Sequence, residues 1–191
     1  ILDISNKIQF SGANAATKKA TLQAWAYWWK GFAYGQIGSM YYAGIIQNET
    51  TAAAKTNGNY VTKEAIIAES NANYDKCVSA LSGVTDVATY NSIMTRVIPN
   101  YVQIGKGGVI STAEWNRAIN TMKARNILVN TLKDEMSSEK WASILALTTN
   151  GVRATDKIFT GRSDANGDFL GTGISVADKA SQNAATGSTN T

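Results

Sequence analysis

Between Thr17 and Ile46, apolar or small residues recur at three- and four-residue steps: Leu22, Trp25, Ala26, Trp29, Phe32, Ala33, Ile37, Met40, Tyr41, Gly44 and Ile45. That rhythm predicts a helix. Tyr27, Tyr34 and Tyr41 form a second stripe seven residues apart, and Trp28, Phe32 and Gly35 a third. A helix that is apolar nearly all round is buried among others. Gly31, Gly35 and Gly38 would each cost about 1 kcal/mol against Ala in an exposed helix. Their presence predicts a close crossing with a neighbouring backbone. Residues 31–48 carry no charge, but they include four glycines, Gln36, Ser39 and Gln47. A membrane span needs about 20 predominantly apolar residues, so the pattern predicts a buried helix.

Further along, Thr62 caps a second helix with Glu64 in its first turn. Its apolar positions are Ile66, Ile67, Tyr74, Cys77, Val78 and Leu81, and it ends near Gly83. A short helix over Asp86 to Ile98 stops at Pro99. Ser111-Thr112-Ala113-Glu114 is a capping box. It opens a helix to about Thr131 with Trp115, Ala118, Ile119, Met122 and Val129 inward. Ser137-Ser138-Glu139 starts another, with Trp141, Ile144, Leu145 and Thr148 inward, ending at Asn150-Gly151. Polar loops fill Gln47 to Tyr60 and Asn100 to Gly108, and the periodicity dissolves after Gly151. The expected fold is all-α. The long first helix pairs with the Thr62 helix and the Ser111 helix with the Ser137 helix, in tetratricopeptide-like helix pairs with irregular loops. Residues 1–155 form the helical region and 156–191 an irregular segment.

Composition removes whole classes of chemistry. The 191 residues contain no His and one Cys. Triads, Cys-His pairs and His-based zinc sites are therefore excluded, as is an intrachain disulfide. Cys77 falls among apolar positions and reads as a small core residue. The net charge of +4 is dispersed, with no basic run longer than Lys18-Lys19, which argues against a nucleic-acid partner. Gly105-Lys106-Gly107-Gly108 lacks the phosphate-loop pattern and reads as a glycine-rich turn. Asp164-Ala165-Asn166-Gly167-Asp168 begins like a calcium loop, but Ser175 stands where an EF-hand has Glu, so it reads as a polar turn. No metal or cofactor is expected. No pair of carboxylates is placed for glycoside hydrolysis: Glu64 and Glu69 fall on a solvated helix face, and Asp134 and Glu135 at a helix end. No catalytic residue is named, and the chain is not expected to be an enzyme.

Three blocks carry a family resemblance: AWAYWWKGFAYGQIGSMYYAGII (residues 24–46), KARNILVN (123–130) with the following Met136-Ser137 to Trp141 start, and FTGRSDANGD (159–168). In order and spacing they resemble the SusD/RagB family of outer-membrane lipoproteins. The resemblance spans about Thr17 to Asp168. It implies an all-α, tetratricopeptide-supported fold that binds oligosaccharides or other nutrients at the cell surface. It further implies delivery of the ligand to a SusC-like TonB-dependent transporter, with no catalysis. Family members are several hundred residues long and carry an N-terminal lipid anchor. The opening Ile1-Leu2-Asp3-Ile4 and the polar tail 181–191 fit an expectation that this chain is part of such a protein, without the anchor. The alternative reading is a tetratricopeptide-like protein-interaction scaffold that binds no sugar.

With the helices committed to packing, recognition is expected from loops. Trp25, Trp29, Trp115 and Trp141 fall on inward stripes. Tyr60 and Tyr101 are the aromatics least tied to a stripe, and each has an Asn beside it. A ring to cover a sugar's C–H face and an amide to bond its hydroxyls make Asn59, Tyr60, Tyr101 and Lys106 the candidate ligand-binding residues.

Overall fold

The computed structural model describes residues 1–48, 58–96 and 109–156. Its described elements are α1 (Leu2–Lys7), α2 (Ala15–Met40), β1 (Ala43–Ile45), β2 (Tyr60–Thr62), α3 (Lys63–Ser82), α4 (Val87–Arg96), α5 (Thr112–Asn130) and α6 (Ser138–Thr149). A short 3-10 turn at Lys133–Glu135 precedes α6. The fold is all-α, with one two-stranded antiparallel ribbon that pairs Ala43 with Thr62, Gly44 with Val61 and Ile45 with Tyr60.

The helix starts follow their caps. Ala65 N–H donates to Thr62 Oγ1 at 3.4 Å, and Lys140 N–H to Ser137 Oγ at 3.4 Å. The capping box at α5 is complete: Glu114 N–H donates to Ser111 Oγ and Ser111 N–H to Glu114 Oε2. The expected stop at Pro99, the Asn100 to Gly108 loop and the Asp164 turn lie outside the described residues.

The first helix ends at Met40, six residues before its expected end. Tyr41 turns to an extended conformation, and residues 43–45 join the ribbon. Gly44 permits this: a Cβ there would lie 2.6 Å from Ile66 Cδ1. Met40 and Tyr41, expected inward, are consequently 70% and 59% exposed.

Helices α2 and α3 run antiparallel in close contact. Cβ atoms added at Gly31 and Gly38 would meet Tyr74 and Ile67 at 2.8 Å and the carbonyls of Ser70 and Lys63 at 3.2 Å. At this distance α3 side chains reach α2 carbonyls directly. Ser70 Oγ–H donates to Gly31 O at 2.6 Å, and Cys77 Sγ–H to Ala24 O at 3.2 Å. Asn126 of α5 joins the crossing by donating to Ser70 Oγ and Asn71 Oδ1. Cys77 is fully buried, and burial pushes its thiol pKa up, so it stays protonated.

The core lies between α2, α3, α4 and α5. Trp28 packs against Tyr74 and edge-on to Trp115, at centroid distances of 5.4 and 6.4 Å. Here the expected stripe on α2 is corrected. The buried face runs through Thr17, Ala20, Thr21, Ala24, Trp28, Gly31, Gly35 and Gly38, while Trp25 and Trp29 are only half-buried at its flank. A close backbone crossing selects for small side chains around the one tryptophan, Trp28, that packs between Tyr74 and Trp115, and leaves Trp25 and Trp29 at its edge.

The expected pairing of α5 with α6 is present. The inward face assigned to α6 is not: Trp141 is 53% and Leu145 67% exposed, and Thr148 is also exposed. Val129 of α5 and Val78 of α3, both expected inward, are exposed too. Beyond α6 the chain returns to α5, where Arg117 donates to both carboxylate oxygens of Asp156 at 2.6 and 2.7 Å.

Candidate ligand-binding site

The flank of α2 that carries the half-buried Trp25 and Trp29 and the buried Tyr34 borders a cleft of about 1010 Å³. Trp25, Trp29 and Tyr34 form its aromatic side. The α1 helix walls it opposite, tied down where Gln23 Nε2 donates to Asn6 Oδ1 at 3.0 Å. The chain leaving β1 closes the third side with Gln47 and Asn48.

Tyr34 fixes that third side. Its hydroxyl accepts from Gln47 N–H and donates to Gln47 O, both at 3.0 Å. Desolvation raises the Tyr34 pKa, so the hydroxyl keeps the proton it donates. Asn48 is held from two sides: its Oδ1 accepts from Lys30 Nζ at 2.7 Å and its Nδ2 donates to Glu69 Oε1 at 3.0 Å. Asn73 Nδ2 donates to the same Glu69 oxygen at 2.8 Å. Glu69 was expected on a solvated face, yet it is half-buried and anchors the amides behind the cleft.

Burial lowers the Lys30 pKa, the Glu69 carboxylate opposes that shift, and the Lys76 ammonium adds to it. The arrangement places flat rings beside amide donors and acceptors held by a network that needs no ligand. Such a surface matches a polyhydroxylated ring, whose C–H faces stack on aromatics while its hydroxyls take hydrogen bonds.

A smaller cavity of about 370 Å³ lies between α3, α5 and α6 and contains no aromatic side chain. It holds Glu64 and Glu139. The Glu64 pKa is lowered, chiefly by a backbone hydrogen bond, and the Glu139 pKa by the Ser137 hydroxyl. Both carboxylates are ionised near neutral pH, so neither offers the raised pKa of a general acid. Among the described residues, no three His, Cys, Asp or Glu side chains group to hold a metal ion. No described helix is long and apolar enough to cross a membrane.

Of the sequence-derived candidates, Tyr60 lies in β2, 72% exposed, directly across the ribbon from Ile45, which lines the cleft. Asn59 immediately precedes it and is exposed. Neither lines the cleft itself. Tyr101 and Lys106 lie outside the described residues. Trp25 and Trp29, which do line it, were assigned to packing by their apolar character. One signal could have found them: Lys30 interrupts an aromatic run already wider than one core-facing stripe requires. Compared with known proteins, the chain matches no family model, and neither a curated protein nor a solved structure matches it.

Proposed function

We propose that this protein is a non-catalytic carbohydrate-binding protein that captures oligosaccharide at a bacterial cell surface. The observation that carries this reading is the cleft in which Trp25, Trp29 and Tyr34 stand beside Asn48 and Gln47. Among the described residues that line it, the only carboxylate is Asp3, which is bonded to Lys7 at 2.8 Å. A glycosidase needs two carboxylates about 5–10 Å apart, so the cleft suits retention of a sugar rather than its cleavage. The resemblance to SusD/RagB lipoproteins supplies the setting: the outer membrane, with a SusC-like TonB-dependent transporter as partner. Tetratricopeptide-like pairing is the finer reading of α2–α3 and α5–α6.

Affinity electrophoresis against a panel of neutral and acidic polysaccharides tests this reading. A Trp25→Ala, Trp29→Ala variant with unchanged circular dichroism should lose retardation by the polysaccharide that retards the parent. Retardation that survives in this variant would remove the cleft from the site. A second reading, a protein-interaction scaffold, is favoured by the uncovered Trp141 and Leu145 on α6. It predicts that Trp141→Ala abolishes a protein contact while sugar retention stays intact.

A further inference from the structure

A stripe of polar and aromatic side chains runs the length of α2: Lys19, Gln23, Tyr27, Lys30 and Tyr34. Steps of four, four, three and four residues keep them on one face of the helix. Tyr34 and Lys30 belong to the large cleft. Lys19 and Gln23 line a second cavity of about 420 Å³. Tyr27 and Lys76 line both cavities, so the two adjoin across one tyrosine ring and one ammonium group.

Among the described residues, lysines outnumber carboxylates along this path, with Asp3 the one acidic lining residue. Among the described residues, none that lines the second cavity is acidic. In the large cleft Asp3 is committed to Lys7, and the nearby Glu69 takes amide donors from Asn48 and Asn73. Lys30 and Lys76 both line the large cleft; beyond burial and the opposing pull of Glu69, the Lys76 ammonium disfavours charge on Lys30. A ligand that brought negative charge between them would relieve that repulsion. Lys19 and Lys30 are three turns apart on one face, about 16 Å along the axis at 1.5 Å per residue. That separation suits an oligosaccharide with repeated charges, not a single small anion.

We propose that the ligand of this cleft is an anionic oligosaccharide, its carboxylate or sulfate groups set against Lys30, Lys76 and Lys19 while its rings lie on Trp25, Trp29 and Tyr27. The inference rests on the carbohydrate reading above and specifies its ligand class.

Isothermal titration calorimetry at physiological salt tests it with two matched pairs. One is oligogalacturonate and its carboxyl-reduced neutral form; the other is sulfated maltohexaose and maltohexaose. At least one anionic probe should bind tenfold or more tighter than its neutral parent. Which one does so tells carboxylate from sulfate. Lys30→Gln, Lys76→Gln should remove that preference. Lys19→Gln, Lys76→Gln should do the same in part, and it spares the Lys30–Asn48 bond if the first variant unfolds. A Lys133→Gln, Lys140→Gln control, with the same change in net charge, should keep the preference. Equal affinity for charged and neutral members would overturn the anionic ligand and leave the carbohydrate reading standing. Equal loss in the control would overturn it as well, because the preference would then reflect overall charge. Binding of none of the four would remove both readings.

Discussion

The α2–α3 crossing and helix α6 both carry large apolar residues and end in opposite situations. The α2–α3 pair meets backbone to backbone through Gly31, Gly35 and Gly38, with hydrogen bonds from Ser70 and Cys77 to α2 carbonyls. The α6 helix rests on one side of α5 and, among the described residues, contributes no buried side chain. Two tryptophans mark the difference: Trp115 of α5, packed against Trp28 of α2, is fully buried, and Trp141 of α6 is 53% exposed. Apolar content therefore does not set burial here. What sets it is whether a second helix can approach from the other side, and that depends on small residues at the crossing.

Replacing the two tryptophans in parallel gives the largest expected contrast. Trp115→Ala should cost about 3–5 kcal/mol, read as a lowered midpoint in urea. Trp141→Ala should stay within about 0.5 kcal/mol, as exposed sites do. A comparable loss at Trp141 would mean that α6 is packed on its outer face and would break the comparison.

Next is Gly35→Leu. A Cβ at this position would already stand 3.1 Å from Ser70 Oγ and 3.2 Å from Asn126 Oδ1. Overpacking should destabilise by about 1–3 kcal/mol, with the buried Ser70–Asn126 hydrogen bond displaced. An unchanged urea midpoint would show that α2 and α3 can separate without loss, contrary to a closed crossing.

The smallest effect concerns the return of the chain to α5. Hydrogen bonds from Arg117, then from the Arg153 backbone, hold the Asp156 carboxyl down at about 2. A depressed folded-state pKa contributes stability above the unfolded value of about 3.9 and loses it as pH falls toward the folded one. The melting temperature of the parent should therefore fall between about pH 4 and pH 2 by more than that of Asp156→Asn. Parallel melting curves in acid would mean that this ion pair does not hold the segment after α6.

Where a signal was local, it was legible in the residues. Thr62, Ser111 and Ser137 mark helix starts because a side-chain oxygen satisfies a backbone N–H within the same turn. The glycines of α2 marked the crossing because no other role explains them in a long helix. The candidate site was less legible. Tyr60 was picked out as an aromatic free of any stripe, and it stands across the ribbon from a residue of the cleft. Trp25 and Trp29 were placed in the core because hydrophobicity alone cannot say which side of an apolar helix its partner takes. Glu69 looked solvated until Asn48, 21 residues earlier, was brought onto it.

The sequence by itself determined that the chain is helical, where most helices begin, that α2 and α3 cross closely, and that no His-based chemistry is available. Those properties rest on interactions within a few residues or on composition. Tertiary structure decided which face of α2 is buried, that residues 43–45 leave the helix for a ribbon, and that aromatic rings, amides and lysines share one cleft. Each of these depends on contacts between residues far apart in the chain. A helix apolar on several faces is compatible with several partners, and only the close fit of α3 against the small-residue face selects one of them.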